Sequence, residues 1–142
     1  MGIIISFIKL SSREKFLALE SLLWVIIIRI MVWVFPFAFV KKSVQKIATS
    51  ISNKNPDQRT PMRDIGAMIA GVSTYIPQAT CLVQAMAGYI LFSRYGYNTR
   101  IKIGVLNEEG IFEAHAWLEQ EGSVVLGESE KNYKTILDID KN

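Results

Sequence analysis

The sequence predicts an α+β domain in which helices come first and a small antiparallel sheet follows. Apolar residues recur at helical spacing up to Tyr95, whereas they alternate with polar residues from Thr99 onward. The two patterns occupy separate parts of the chain, which is typical of the α+β class. With 142 residues the chain can build one hydrophobic core, so we expect a single domain over 1–142.

Composition excludes several classes of protein. Hydrophobic residues make up 50% of the chain and charged residues 20%, which excludes a disordered protein. The net charge of +3 comes from basic residues spread along the sequence, so we expect no binding to nucleic acid. One cysteine and one histidine cannot form an internal disulfide or a Cys/His zinc site, and we expect neither a metal nor a cofactor. The lone cysteine also fits a reducing compartment, hence a cytoplasmic location.

The first predicted element is a long apolar helix within residues 11–47. Ser11 and Glu14 have the spacing of a capping box, and the apolar run that follows is broken or kinked at Pro36. The run before Pro36 is shorter than the roughly twenty residues that span a bilayer, and it contains Arg29. We therefore expect this helix to pack under the domain, against a partner protein or on a membrane surface.

The polar segment at 48–60 is predicted to be a linker between the apolar helical region and a core region at 61–142. At its end, Thr60 and Pro61 have the residue types of an N-cap and a first-turn proline. A helix is therefore expected to begin at this point.

The next helix is predicted to begin near Thr80 and to end near Tyr95, with Gly96 in the left-handed conformation just beyond it. Its apolar residues identify it as a core helix. Cys81 lies in its first turn.

Three short strands are predicted after Thr99. The first contains TRIKIGVL and the second IFEAHAWLE, with NEEG forming the turn between them. The segment QEGS turns the chain again, into a third strand that contains VVLGES. The carboxyl-terminal half is thus expected to be an antiparallel meander.

The register of the second hairpin decides which side chain faces His115. If the turn consists of the two residues 121–122, then Glu128 lies opposite His115, and Leu126 lies opposite Trp117. A slip of one residue would present either neighbour of Glu128 to the imidazole instead.

Cys81 and His115 together indicate nucleophilic chemistry. The N–H groups at a helix start favour a thiolate and could also stabilise an oxyanion. The imidazole would act as the base, and the Glu128 carboxylate would hold its tautomer. Taken alone, Cys81 fits a buried structural cysteine better than a nucleophile, but the joint pattern favours a Cys-His-acid site.

Three segments, CLVQAMAGYILFSRYGYNTRIKIGV, AHAWLE and GSVVLGE, occur in an order that resembles a known family. The apolar, arginine-containing N-terminal helix is also similar. The family is that of the lasso peptide leader peptidases, or protease-type B proteins, which have a transglutaminase-like (papain-like) cysteine peptidase fold. The resemblance covers most of the chain.

The resemblance implies that Cys81 is the nucleophile and His115 the general base. The third member in the family is usually an aspartate on the strand after the histidine, and Glu128 takes the matching place here. Gln78, in the loop before Cys81, is a candidate side-chain donor to the oxyanion, although a solvated loop glutamine is the simpler interpretation.

The resemblance also implies a reaction and partners. Such a peptidase removes the leader from a ribosomally made lasso precursor through a thioester acyl-enzyme. A separate ATP-dependent cyclase then forms the macrolactam. Leader recognition belongs to a winged-helix element, for which this chain has no room, so a separate recognition protein is expected. The uncovered N-terminal helix is one candidate docking surface for it.

Two other functions remain open at this point. The same catalytic residues could serve a transglutaminase-like acyl transferase acting on another substrate. Alternatively, the protein could be a non-enzymatic, membrane-associated scaffold with a structural cysteine, which the apolar amino-terminal helix favours.

Overall fold

The fold consists of helices followed by an antiparallel sheet, which confirms the predicted α+β class. A computed structural model of the chain describes residues 12–53, 55, 60–77, 79–108, 110–127 and 133–139. Its helices are α1 (Ser12–Val34), α2 (Phe37–Ile51), α3 (Met62–Ser73) and α4 (Cys81–Arg94). Its strands are β1 (Arg100–Glu108), β2 (Ile111–Gln120), β3 (Ser123–Leu126) and β4 (Lys134–Ile139).

The break between α1 and α2 falls at Pro36, as predicted. Pro36 is extended, with φ −67° and ψ 156°, and its carbonyl accepts hydrogen bonds from the N–H groups of Phe39 and Val40 in the first turn of α2. Helix α2 continues through Ile51, into the segment predicted as a linker at 48–60. The predicted cap Ser11 lies outside the described residues.

Helix α1 buries one face and exposes another. Leu17, Val25 and Ile28 are buried where α1 packs against α3 and α4. By length and composition, α1 could cross a membrane: its best 18-residue window has a mean hydropathy of 2.2, with 28% of that window buried. A long helix that is part core and part exposed apolar surface is therefore the main unusual feature of the fold.

Helix α4 is the centre of the core, as its composition predicted. Helices α1, α2 and α3 pack against it on one side and strand β2 on another. Its carboxyl-terminal end is confirmed too, because Gly96 has φ 88°. The expected N-cap of α3 is wrong: Pro61, not Thr60, occupies that position, without a side-chain cap. Thr60 is instead buried, and its carbonyl accepts a hydrogen bond from Tyr97 Oη at 3.0 Å.

The sheet has the strand order β3-β2-β1-β4, with antiparallel pairs throughout. The predicted meander is β1-β2-β3, and β4 adds a strand that the sequence patterns did not indicate. Helix α4 covers one face of the sheet, where Ile101, Ala116 and Leu118 are buried. Gly88 permits this close approach, since an added Cβ would stand 2.8 Å from a Leu118 methyl carbon.

The second hairpin has the predicted turn but a different register. Glu121 and Gly122 both have positive φ, at 51° and 85°, as a tight two-residue turn requires. Beyond Glu119 the register shifts at a β-bulge, and Leu126 pairs with Leu118. The predicted pairing of Leu126 with Trp117 is therefore wrong. The bulge turns the Leu126 side chain toward the core, where it is buried.

Candidate active site

Cys81 is the first residue of α4. Thr80 caps this helix, because its side-chain oxygen accepts a hydrogen bond from the Val83 N–H at 3.4 Å. The thiol is half-buried. The Cys81 side chain lies at the end of the helix where the backbone N–H groups of the first turn are located.

Side chains of two helices donate hydrogen bonds to the segment that leads into Cys81. Arg29 of α1 donates from Nε to the Pro77 carbonyl at 3.3 Å. Gln84 of α4 donates from Nε2 to the Ala79 carbonyl at 3.0 Å. Helix α1 thus contributes directly to the position of the cysteine.

The Cys81 sulfur lies against strand β2, next to His115. Sγ accepts a hydrogen bond from the Ala116 N–H at 3.4 Å, and this amide belongs to the peptide bond that joins His115 to Ala116. The Cys81 thiol therefore contacts the backbone of β2 directly beside His115. Among the described hydrogen bonds, none joins the thiol directly to the imidazole.

The His115 imidazole is oriented by a backbone carbonyl. Nε2 donates a hydrogen bond to the Gly127 carbonyl oxygen at 2.6 Å. Because a carbonyl only accepts, this bond assigns the proton of the neutral ring to Nε2 and leaves the lone pair on Nδ1. That tautomer suits a general base whose active nitrogen is Nδ1.

Glycine is the residue type that fits most easily at position 127. Its φ is +84°, and an added Cβ would stand 3.1 Å from the Ala116 carbonyl oxygen and 3.2 Å from Trp117 Cα. Gly127 is one of the two neighbours of Glu128 that a slip of register would present. Glu128 itself, the predicted acid, lies outside the described residues, as does Gln78, the predicted oxyanion donor.

Aromatic rings flank the imidazole. His115 stacks with Trp117 at a centroid distance of 5.8 Å and with Tyr133 at 5.1 Å. Tyr133 can lie there because Gly104 pairs with His115 across β1 and β2: a Cβ on Gly104 would come within 2.7 Å of Tyr133 Cβ. Tyr133 was not among the predicted site residues, although a glycine within a strand is a signal of close approach.

Two carboxylates accept hydrogen bonds from the aromatic side chains that flank His115. Tyr133 Oη donates to Glu113 Oε2 at 3.1 Å, and Trp117 Nε1 donates to Glu119 Oε2 at 2.6 Å. These contacts fix the planes of both rings, and through them the imidazole.

A separate charged cluster lies further along the sheet, around Asp138 of β4. Its carboxylate bonds to Arg100 Nε at 3.0 Å and to Lys102 Nζ at 2.9 Å. Partial burial alone would raise the pKa of Asp138, but the hydrogen bonds and charges of Lys102 and Arg100 outweigh it and lower the pKa. Across the residues that the structure describes, no cluster of three His, Cys, Asp or Glu side chains could hold a metal ion.

Comparison with known proteins identifies one family. Residues 22–138 match the family described as the transglutaminase-like superfamily. The match includes Cys81, His115 and most of the apolar helix α1. No curated protein matches the chain, and no solved structure does.

Proposed function

The chain belongs to the transglutaminase-like superfamily, and on that premise we propose that it is a cysteine peptidase that removes the leader from a lasso peptide precursor. The observation that carries the proposal is the hydrogen bond to Cys81 Sγ from the N–H of Ala116, the residue that follows His115 in β2. Activity of the cysteine-peptidase or acyl-transfer type is compatible with this superfamily. The lasso substrate rests on the segments beginning CLVQ, AHAWLE and GSVVLGE, and is the finer part of the proposal.

In the proposed mechanism, Nδ1 of His115 takes the thiol proton while Cys81 Sγ attacks the scissile carbonyl carbon. Backbone N–H groups at the start of α4 stabilise the oxyanion. The imidazolium returns the proton to the departing amine, which leaves a thioester on Cys81. His115 then takes a proton from water, and the resulting attack releases the leader and the free thiol. The Gly127 carbonyl accepts the Nε2 proton in both the neutral and the charged ring, so Nδ1 is the nitrogen that gains and loses a proton.

The proposal includes three partners: the precursor, a separate winged-helix protein that binds the leader, and an ATP-dependent cyclase. The released α-amine of the core peptide is the group that the cyclase would join to a side-chain carboxylate. We place the protein in the cytoplasm, where precursor and cyclase would meet.

The test is leader release, followed by mass spectrometry. Precursor and recognition protein are incubated with the wild-type chain, Cys81→Ala or Cys81→Ser. We expect cleavage only with the wild-type protein, because both variants lack the thiolate. Undiminished cleavage by either variant would refute the assignment. The product mass also separates the alternatives, since hydrolysis adds water to the new carboxyl end while acyl transfer adds an amine.

A second measurement separates catalysis from a scaffold role. The chain has one cysteine, so labelling by iodoacetamide reports on Cys81 alone. We expect fast labelling at neutral pH in the wild-type protein and slower labelling in His115→Ala. Equal, slow labelling of both folded proteins would favour a structural cysteine.

A further inference from the structure

The turn between α1 and α2 is an exposed apolar corner. Every residue from 32 to 39 is exposed, and all of them are apolar; they are Val32, Trp33, Val34, Phe35, Pro36, Phe37, Ala38 and Phe39. Trp33 alone is 78% exposed. Large exposed apolar patches in a folded protein mark surfaces that bind something.

The charges beside this α1–α2 corner are all positive. Helix α2 contains Lys41, Lys42 and Lys46 and no acidic residue. Lys42 and Lys46 are exposed and lie one helical turn apart. At a rise of about 1.5 Å per residue, Lys42 lies about 8 Å along the axis from Phe37, which is about the depth to which interfacial helices enter a bilayer.

We infer that the α1–α2 corner inserts into the interface of a bilayer that contains anionic lipid. Trp33 and the phenylalanines enter the boundary between headgroups and acyl chains, where aromatic rings are favoured. Lys41, Lys42 and Lys46 contact the anionic headgroups. The exposed apolar residues belong to the ends of two helices, so the boundary of a bilayer can cover them together while the neighbouring lysines stay among the headgroups.

The rest of α1 opposes full insertion across the bilayer. Leu17, Val25 and Ile28 are buried against the other helices. The Glu20 carboxylate accepts hydrogen bonds from Arg94 and Tyr95 of the α4 end. A transmembrane α1 would lose all of these contacts, whereas insertion of the corner keeps them.

The inserted corner would lie on the same helix that holds the active-site segment. Arg29, one turn before Trp33, donates to the Pro77 carbonyl just ahead of Cys81. Binding at the corner therefore brings the peptidase site to the membrane surface. The inference is independent of the proposed reaction, since it rests on the corner alone.

Co-sedimentation of the full-length protein with vesicles tests the inference. The vesicles contain phosphatidylcholine alone or a mixture with phosphatidylglycerol. We expect wild-type binding to the mixed vesicles and a loss of at least about tenfold in the Trp33→Ser/Phe37→Ser variant. Ile136→Ser is the matched control: Ile136 is 62% exposed on β4, outside the corner, and its substitution should leave binding unchanged.

Charge substitutions test the inferred contact between the lysines and the anionic headgroups. Lys42→Gln/Lys46→Gln should weaken binding to mixed vesicles at low salt by about fivefold for each lysine, with little effect on neutral vesicles. Lys134→Gln, an exposed lysine on β4, serves as the control. In vesicles of brominated lipid, Trp33→Phe should still bind but lose most of the fluorescence quenching, because the inserted tryptophan is gone.

Any of three results would overturn the inference. The first is absence of wild-type binding to mixed vesicles, and the second is binding that survives Trp33→Ser/Phe37→Ser. The third is a stable dimer in light scattering that the same double substitution dissociates, since the corner would then be a contact between protein chains. All substituted side chains are exposed, so circular dichroism should show the wild-type fold in each variant.

Discussion

At the scale of single residues, the candidate site depends on a glycine that acts through its backbone. The Gly127 carbonyl accepts the His115 Nε2 proton, and the residue sits at φ +84° against β2. We expect Gly127→Ala to reduce kcat/KM for leader cleavage by about 10- to 100-fold, because the added Cβ forces the carbonyl away from the imidazole. Steady-state kinetics on the purified variant measures this.

Gly122→Ala is the matched control for that prediction. Gly122 also has positive φ, +85°, but nothing lies within 4 Å of an added Cβ. It should carry a similar backbone strain, about 1 kcal/mol, and cleave at nearly the wild-type rate. Equal losses of activity in the two variants would mean that strain, and not the carbonyl, is responsible.

Tyr133 is predicted to position His115 through its ring. Tyr133→Phe keeps the stacked ring and loses only the bond to Glu113, so we expect activity within about threefold of wild type. Tyr133→Ala removes the ring and should lower kcat by about tenfold with KM little changed, since the imidazole loses its orientation. A parallel rise in KM, or failure of phenylalanine to restore kcat, would contradict a positioning role.

At this scale, the sequence indicated some residues of the candidate site and not others. Cys81 and His115 stand out because each is the only residue of its type. Gly127 could not be found in the same way, since every residue carries a carbonyl and only the fold decides where it points. Tyr133 lies outside the strands that alternation indicated, so its ring had no predicted place.

At the scale of elements, the strand β4 is tied to β1 by charge. Asp138 bonds to Arg100 and Lys102 across the pair. We expect Asp138→Asn to lower the free energy of unfolding near pH 7 by up to about 1 kcal/mol, a small value because the carboxylate is 35% exposed and screened by solvent. Urea unfolding measures it.

The sign of the pH dependence follows from the lowered pKa of Asp138. A carboxyl whose pKa is lower in the folded protein stabilises the fold above its unfolded pKa, about 3.9, and loses that effect as pH falls through the folded value. The wild-type protein and Asp138→Asn should therefore differ at pH 7 and converge as the pH falls through the folded pKa of Asp138. In a Lys102→Gln background the difference at pH 7 should shrink; an unchanged difference would exclude this ion pair as its cause.

The sequence predicted those helix boundaries that are determined by residues at the boundary itself. Pro36 ends one helix and begins another because it lacks an N–H and has a fixed φ, and Thr80 caps α4 by its own side chain. The register of β3 was missed because a β-bulge beside Leu118 depends on packing against Gly88. Strand β4 was missed because it pairs with β1, far away in the sequence.

At the scale of the whole molecule, the apolar helices and the sheet share one core. Val25 of α1 and Val44 of α2 belong to the same buried cluster as Met86 of α4 and Leu118 of β2. The family match likewise begins within α1, at residue 22. The apolar helices are thus structural parts of the site-bearing domain, and the segment at 61–142 lacks much of its own core without them.

The last prediction tests this shared core with two neighbouring isoleucines of α1. Ile28 is fully buried and Ile30 is 52% exposed. Ile28→Ala should lower the global free energy of unfolding by about 2–5 kcal/mol, through lost burial and a cavity, while Ile30→Ala should stay within about 0.5 kcal/mol. Native-state hydrogen exchange locates the effect: the slowest amides of α4 should exchange faster in Ile28→Ala by the factor that corresponds to that loss. If the α4 amides keep their wild-type protection while α1 alone exchanges faster, α1 unfolds separately and the helices and the sheet do not form one cooperative unit.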